Sequence, residues 1–269
     1  MLPFCLLRYD PRERIVHRDK YISVNKCSKE EIAKLLRFES SKLAPGEKTS
    51  LDDYVSRMEA GTRVIYYLSA PSRQLAESSP YMEALRKKDV EVLFCFEPYD
   101  ELVLMNLGQF DKKNLKSVEN ELSEPKDDKT STTSDKETLT EDQSKDLLSW
   151  LQVTLGNRVK STKVTHRLES HPCVITVAEM GAARHFLKTT LADKSEEERY
   201  RVLQPTLEVN PSHPIIRKLY TLKNSDPDLA KLVSSQIYDN AMIAAGLMDD
   251  ARVILGRLNE LLTKALEKH

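Results

Sequence analysis

The sequence predicts an α+β protein of two domains: a small α/β domain containing a parallel strand–helix–strand unit, and a larger α+β domain that ends in a helical hairpin. Three observations support this prediction. Two buried strand patterns flank a helical segment in the first half, an acidic polar stretch follows, and two long amphipathic helices close the chain. At 269 residues, the chain is long enough for roughly two domains.

The composition limits the class of function. Lys and Arg number 41 against 42 Asp and Glu, so no general basic field is available to hold nucleic acid. No apolar run approaches the about 18 residues that would suggest a membrane span. The chain is therefore expected to be globular and soluble, to bind neither nucleic acid nor membrane, and to select its partners by surface shape.

The termini and cysteines favour an intracellular location. The apolar run at 1–8 is too short for a secretory signal and lacks a basic stretch before it, and Asp10 and Glu13 argue against an organellar presequence. The four cysteines form no paired spacing, which favours reduced thiols. From these features alone, the expected location is cytoplasmic.

The first domain begins with two helical patterns. Ser28 and Glu31 have the spacing of a capping box and predict a helix that extends through Phe38. A second helix is predicted from Ser50 to Gly61. The apolar runs at 64–68 and 90–96 then predict two buried strands that flank a helix at 79–88, and a further helix is predicted at 99–107. A strand, a helical crossover and a strand form a parallel unit.

The stretch 119–139 is predicted to be a flexible acidic linker. Leu122 is the only aliphatic residue between 119 and 138, so the segment cannot bury enough apolar surface to offset its ordering entropy. The alternative is a solvated loop inside a single domain, although loops longer than about 15 residues are uncommon in compact domains.

The second domain, 140–269, mixes helices and strands. Thr140 and Gln143 form a second capping box and predict a helix that ends at Gly156. Strands are predicted at 159–168, 173–177 and 206–209, and helices at 179–187 and 195–202. Three closing helices are predicted to start near Ser212, near Asp226, and at Asp249 or Asp250.

The last two helices, separated by Gly246, carry apolar residues at three- and four-residue steps and predict an antiparallel hairpin. No element follows the hairpin, so its apolar stripe is expected to meet the same stripe of a second copy in a four-helix bundle. The alternative is that the stripe docks onto its own domain. The predicted dimer interface consists of Ile237, Ala241, Ala244, Ala245, Met248, Ile254, Leu258, Leu261, Leu262 and Leu266.

No pattern indicates catalysis. None of the seven glycines lies close enough to another to form a phosphate-binding turn, and no G-x-S-x-G elbow occurs. His166, His171 and Cys173 are the best candidates for metal ligands, but alternate strand positions point to opposite faces and Pro172 interrupts the segment. We therefore predict no catalytic residue, no metal site and no cofactor site in this chain.

Several segments resemble the ninety-kilodalton heat-shock chaperones. The distal middle domain of that family is similar to the segments at 61–68, 79–83, 86–88, 91–94 and 100–102. Its carboxy-terminal domain is similar to the segments at 179–186, 207–211 and 240–247. The resemblance covers residues 28–269 and is strongest to the mitochondrial branch, which implies a mitochondrial location. Residues 1–27 match the family poorly and form a divergent segment.

The resemblance also has implications for nucleotide chemistry. The family's ATPase domain, which binds ATP and magnesium, has no counterpart in these residues, and neither does the arginine that contacts the γ-phosphate. The resemblance thus implies a chaperone fragment that does not hydrolyse ATP alone. One alternative is an ATP-hydrolysing subunit completed by upstream sequence, and another is a passive dimeric scaffold.

The resemblance implies two kinds of partner. It assigns the terminal hairpin to a homodimer interface and extends the same contact to a full-length paralogue. It also implies that unfolded or partly folded client proteins are bound. The positions that match the client-contact surface are Glu101, Leu102, Met105, Met180, Phe186 and Leu187. Methionine and aromatic side chains suit such binding because they repack against many apolar shapes.

Overall fold

The computed structural model describes residues 29–86, 89–97, 99–123, 138–248 and 250–267. The predicted divergent segment, the Ser28 cap and residues 124–137 of the predicted linker lie outside the described residues. The α+β class is confirmed: two mixed sheets, one of five strands and one of three, are accompanied by helices throughout.

The chain groups into two compact units. The first comprises residues 1–78 and 89–118, and the second comprises residues 79–88 and 119–269. Residues 79–88, predicted as the crossover helix between two strands of the first unit, thus group with the second. Their helix is held there by Tyr81, whose buried hydroxyl donates a hydrogen bond of 2.5 Å to the carbonyl of Ile175.

The elements up to residue 123 include short strands that the sequence patterns did not predict. In chain order they are α1 (Lys29–Ala33), β1 (Glu39–Ser40), α2 (Leu51–Arg57), β2 (Val64–Ser69), α3 (Arg73–Glu77), α4 (Pro80–Arg86), β3 (Val92–Cys95), α5 (Asp100–Leu107), β4 (Gln109–Phe110), β5 (Lys113–Ser117) and α6 (Val118–Ser123). Of these, α4 belongs to the second unit and α6 begins at the boundary between the two. Helix α6 covers the start of the stretch predicted to be a flexible linker.

The sheet of the first unit has the order β1-β3-β2-β5-β4. Strands β2 and β3 are parallel, with Tyr66 opposite Val92, which confirms the predicted parallel unit. Strand β2 also pairs in parallel with β5, and the short strands β1 and β4 add antiparallel edges.

Two helix predictions in the first unit were too long. Helix α1 ends at Ala33, and Phe38 is extended, because its backbone exchanges hydrogen bonds of 3.0 and 2.8 Å with Thr49 while its ring is buried. Helix α2 ends at Arg57, not at Gly61, because the residues from 59 to 61 are exposed and offer no apolar face to pack. Its predicted start is confirmed, since Ser50 caps it in a reciprocal box with Asp53.

The second unit continues with elements close to those predicted. They are α7 (Glu141–Leu155), β6 (Ser161–Val164), β7 (Cys173–Thr176), α8 (Met180–Thr189), α9 (Glu196–Leu203), β8 (Thr206–Val209), α10 (Pro214–Ser225), α11 (Pro227–Ala244) and α12 (Leu255–Leu266). The predicted capping box of Thr140 and Gln143 is present at the start of α7. Short 3-10 helices at Gly156–Arg158 and Ala251–Ile254 precede β6 and α12.

The sheet of the second unit has two chemically different faces. Its order is β6-β8-β7, with β6 parallel and β7 antiparallel to the central strand. On one face, Thr162 donates a hydrogen bond to the carbonyl of Leu148 in α7, and the Cys173 thiol donates to that of Ile237 in α11. The other face carries mainly polar side chains, with Lys163 opposite Glu208 in the register.

Candidate interaction surfaces

In the first unit, the predicted client-contact residues lie on α5. Leu102 and Met105 are half-buried and three residues apart, so they share one side of the helix. Glu101 points inward and is buried. It is therefore a part of the packed interior of this unit, and of the three predicted residues on α5 only Leu102 and Met105 reach the surface.

In the second unit, the predicted residues on α8 separate into core and surface. Met180 and Leu187 are 1% and 2% exposed, so they contribute to the core and offer no surface. Phe186 is 40% exposed. The seven-residue spacing of Met180 and Leu187 places both on the inward side of this helix, whereas Phe186 lies at its edge.

Phe186 forms part of the wall of a groove between α8, α9 and the polar sheet face. Val202, which is 52% exposed on α9, lines the same groove, and Ala182 and Ala183 complete the wall from α8. The floor consists of Ser161, Thr176, Thr206 and Glu208. The sequence interpretation missed Val202 and the floor. In 206–208, polar Thr206 and Glu208 alternate with apolar Leu207, and this period of two is the signal that could have indicated a polar sheet face.

Most of the hairpin residues on α11 and just after it face inward. Ile237, Ala241 and Ala245 are buried, Met248 is half-buried, and Ala244 is exposed at the end of the helix. The burial follows from packing of α11 on the sheet, where the Cys173 thiol lies 3.5 Å from the Ile237 carbonyl oxygen. Ile237, Ala241 and Ala245 thus pack within their own domain, as the alternative prediction expects for this helix.

The hairpin residues of α12 face outward. Leu258, Leu262 and Leu266 are 38%, 54% and 76% exposed, and Leu255 extends the same stripe at three- and four-residue steps. Leu261 is half-buried, and no residue of α12 is buried. Of the predicted interface residues from 254 to 266, only Ile254 is buried, and it lies just before the helix. Helix α12 is thus an amphipathic helix whose apolar stripe lies open.

A buried carboxylate fixes the start of α12. Arg257 donates a hydrogen bond to Asp239 of α11, and the guanidinium of Arg158 lies 3.5 Å from the other oxygen of the same carboxylate. Arg158 also stacks 5.0 Å over the ring of Tyr238 and donates a 2.9 Å hydrogen bond to Ser235. These contacts orient the helix and therefore its leucine stripe.

A family model described as Hsp90 protein matches residues 20–269. The chain belongs to the Hsp90 family. The resemblance noted in the sequence is thereby confirmed.

The relatives in the Hsp90 family include mitochondrial proteins. The chain is 56% identical over 244 residues to the protein named Heat shock protein 75 kDa, mitochondrial, of Rattus norvegicus, and 56% identical over 246 residues to the Bos taurus protein of that name. It is 41% identical over 245 residues to the TNF receptor-associated protein 1 homolog, mitochondrial, of Dictyostelium discoideum. These matches cover 90%, 90% and 89% of this chain. The chain spans 34–35% of the length of these relatives.

Among the described residues, no helix combines the length and apolar character that a membrane crossing requires. In that same part of the chain, no three His, Cys, Asp or Glu side chains are grouped so as to hold a metal ion.

Proposed function

We propose that this chain provides the dimer-forming and client-contacting part of an Hsp90-type chaperone. The observation that carries the proposal is the apolar stripe of α12, in which Leu255, Leu258, Leu262 and Leu266 are exposed on one side. Burying one leucine side chain stabilises a complex by roughly 1.5–3 kcal/mol. A second copy related by two-fold symmetry would cover the stripe with its own and form a four-helix bundle from two α11–α12 pairs.

Sedimentation velocity at micromolar concentration tests the dimer. The double variant Leu258→Asp with Leu262→Asp is expected to sediment as a monomer, because burying an unpaired charge costs several kcal/mol. Thr263→Asp places the same charge on the same helix away from the stripe and is expected to stay dimeric. A native chain that sediments only as a monomer would contradict the proposal.

The proposed client contact rests on the exposed apolar wall of the groove. Phe186 and Val202 are the two large apolar side chains exposed there, and Leu102 and Met105 on α5 are the corresponding residues of the first unit. Such a surface can bind apolar segments that an unfolded protein exposes, without selecting one sequence.

Suppression of aggregation of a chemically unfolded protein tests this contact. The double variant Phe186→Ser with Val202→Ser is expected to suppress aggregation less than the native chain. The matched control is Val153→Ser, which removes a valine that is 82% exposed on α7, outside the groove. If the native chain dimerises but does not slow aggregation, it is a passive scaffold and the client proposal is wrong.

We also propose that these 269 residues carry no nucleotide site of their own and that the chain acts in mitochondria. The first proposal is supported by the glycine distribution, and the second by the mitochondrial names of the relatives. Calorimetric titration with ATP and magnesium is expected to give no saturable heat. Fractionation of cells, followed by blotting with an antibody raised against residues 140–267, is expected to place the protein in the mitochondrial fraction.

A further inference from the structure

The groove beside Phe186 combines apolar walls with a polar floor that includes one carboxyl group. Its volume is about 570 Å³, within the range of sites that bind drug-sized molecules. The alanines of α8 and the valine of α9 form the walls, and the central strand β8 contributes Thr206 and Glu208 to the floor. A purely apolar ligand would leave the acidic group on the floor without a cationic partner.

Glu208 is the group that distinguishes this groove. It is 7% exposed, and one of its oxygens accepts a 3.0 Å hydrogen bond from the Thr176 hydroxyl. Among the residues that the structure describes, Thr176 is the only hydrogen-bond partner of the Glu208 carboxyl, and none places a cation within 4.0 Å of that group. Since an ionised carboxylate has about four acceptor positions, most of its capacity remains unused.

Among the described residues, the surroundings of Glu208 provide no cation in ion-pair contact with its carboxyl. Burial raises the pKa of this carboxyl, and the Thr176 hydrogen bond and the charges of Lys163 and Arg167 only partly offset that effect. Lys163 lies opposite Glu208 in the sheet, yet its side chain is exposed to solvent. A cation brought into the groove would therefore gain a buried counter-ion that no cation of the described residues contacts.

We propose that the groove binds the side chain of an arginine or lysine within an apolar stretch of an unfolded client, with the cation on Glu208. The aliphatic part of such a side chain packs along Phe186, Val202 and the alanines, and its charged end reaches the floor. This inference rests on the proposed client contact and deepens it, because it specifies which residues of a client are recognised.

The opposite choice, an acidic client residue held by lysines, is disfavoured by the same geometry. Lys160 and Lys163 are exposed at the rim on flexible stems and retain their hydration. An acidic side chain entering the groove would approach the buried carboxylate of Glu208, and two like charges in one site destabilise each other. Charge complementarity on the floor thus favours a basic residue.

The test uses the full 269-residue chain and three fluorescent nonapeptides of leucine and alanine. The central residue is arginine, its neutral isostere citrulline, or glutamate, and fluorescence anisotropy measures each affinity. The arginine peptide is expected to bind about tenfold more tightly than the citrulline peptide. In Glu208→Gln, which keeps the side-chain shape and an acceptor for Thr176, this ratio is expected to fall to about one.

Two further variants test whether the preference for the arginine peptide depends on charges at the groove. Lys163→Gln removes the like charge beside the site, so it is expected to tighten binding of the arginine peptide. Glu141→Gln removes an exposed carboxylate outside the groove and is expected to leave the ratio unchanged. If the glutamate peptide binds more tightly than the arginine peptide, and this preference disappears in Lys163→Gln, the proposal is overturned in favour of recognition of acidic residues.

The remaining outcomes separate this inference from the proposed function. If arginine and citrulline peptides bind equally to the native chain and to Glu208→Gln, the Glu208 anchor is wrong while the client contact stands. If no peptide binds and aggregation is not suppressed, the client contact itself is wrong and the anchor falls with it.

Discussion

Arg184 on α8 forms a two-pronged ion pair with Glu119 at the start of the second unit. Its two terminal nitrogens lie 2.8 and 2.7 Å from the two carboxylate oxygens, and one of them also donates a 2.8 Å hydrogen bond to the carbonyl of Ala245. Glu119 is 1% exposed. One guanidinium therefore joins α6, α8 and the end of α11.

The first prediction is that Arg184→Met strongly destabilises the second unit. Removing one partner of a buried pair leaves an uncompensated charge, which costs about 3–5 kcal/mol. Urea unfolding followed by circular dichroism measures the loss. Arg252→Met, which removes an exposed pair with Asp250, is the control and is expected to change stability little. Adding Glu119→Gln to Arg184→Met should recover part of the loss, and no recovery would contradict the buried-charge argument.

The second prediction concerns the glycine between the last two helices. Gly246 has φ +66°, and a Cβ added there would lie 3.1 Å from Cδ of Arg184. Gly246→Ala is therefore expected to destabilise the protein by about 1–2 kcal/mol. In contrast, Gly256 on α12 has no atom within 4 Å of an added Cβ, so Gly256→Ala is expected to stabilise it by about 0.5–1 kcal/mol. Equal effects of the two substitutions in urea unfolding would show that the turn does not require glycine.

The third prediction is that the Cys173 thiol is inert in the folded protein. Burial raises its pKa to about 12, so almost no reactive thiolate exists at neutral pH. Alkylation with iodoacetamide followed by peptide mass spectrometry is expected to leave Cys173 unmodified in native buffer and to modify it fully in urea. Modification at the same rate in both conditions would contradict the burial of β7.

Local signals in the sequence were sufficient for much of the secondary structure. The capping box of Thr140 and Gln143 predicted a helix start correctly, because it acts within a single turn of chain. The two-residue strand Gln109–Phe110 could not be predicted in this way. It exists only through pairing with β5, and nothing in a pair of residues indicates a distant partner.

Periodicity identified the amphipathic helices but not what covers them. The stripes of α11 and α12 look alike in sequence, yet Ile237 is buried by its own sheet and Leu262 is exposed. The same limit explains Met180, which was predicted to contact clients and lies in the core. An apolar side chain at helical spacing indicates a face to be buried, and only the tertiary structure decides between the core and a partner.

The fourth prediction is a pH dependence that originates at Glu83 on α4. This buried carboxylate accepts hydrogen bonds from the Glu169 N–H at 2.7 Å, from the Ser170 N–H at 3.1 Å and from the Ser170 hydroxyl, and His171 Nδ1 lies 2.8 Å from it. Burial raises its pKa, but these hydrogen bonds outweigh burial and hold the pKa below its ordinary value of 4.5. Hydrogen bonds to a charged group contribute about 1.5–3 kcal/mol each.

The sign of the effect follows from the lowered pKa. A carboxyl that binds its proton more weakly when folded contributes stability above its unfolded pKa and loses that contribution as the pH falls through its folded pKa. The free energy of unfolding of Glu83→Gln is therefore expected to lie below that of the native chain at pH 7, and the gap should narrow below about pH 4.5. Glu141→Gln, at an exposed carboxylate of α7, is expected to show no such narrowing. A gap for Glu83→Gln that stays constant from pH 7 to pH 3 would mean that the hydrogen bonds from residues 169–171 do not depend on the charge of Glu83.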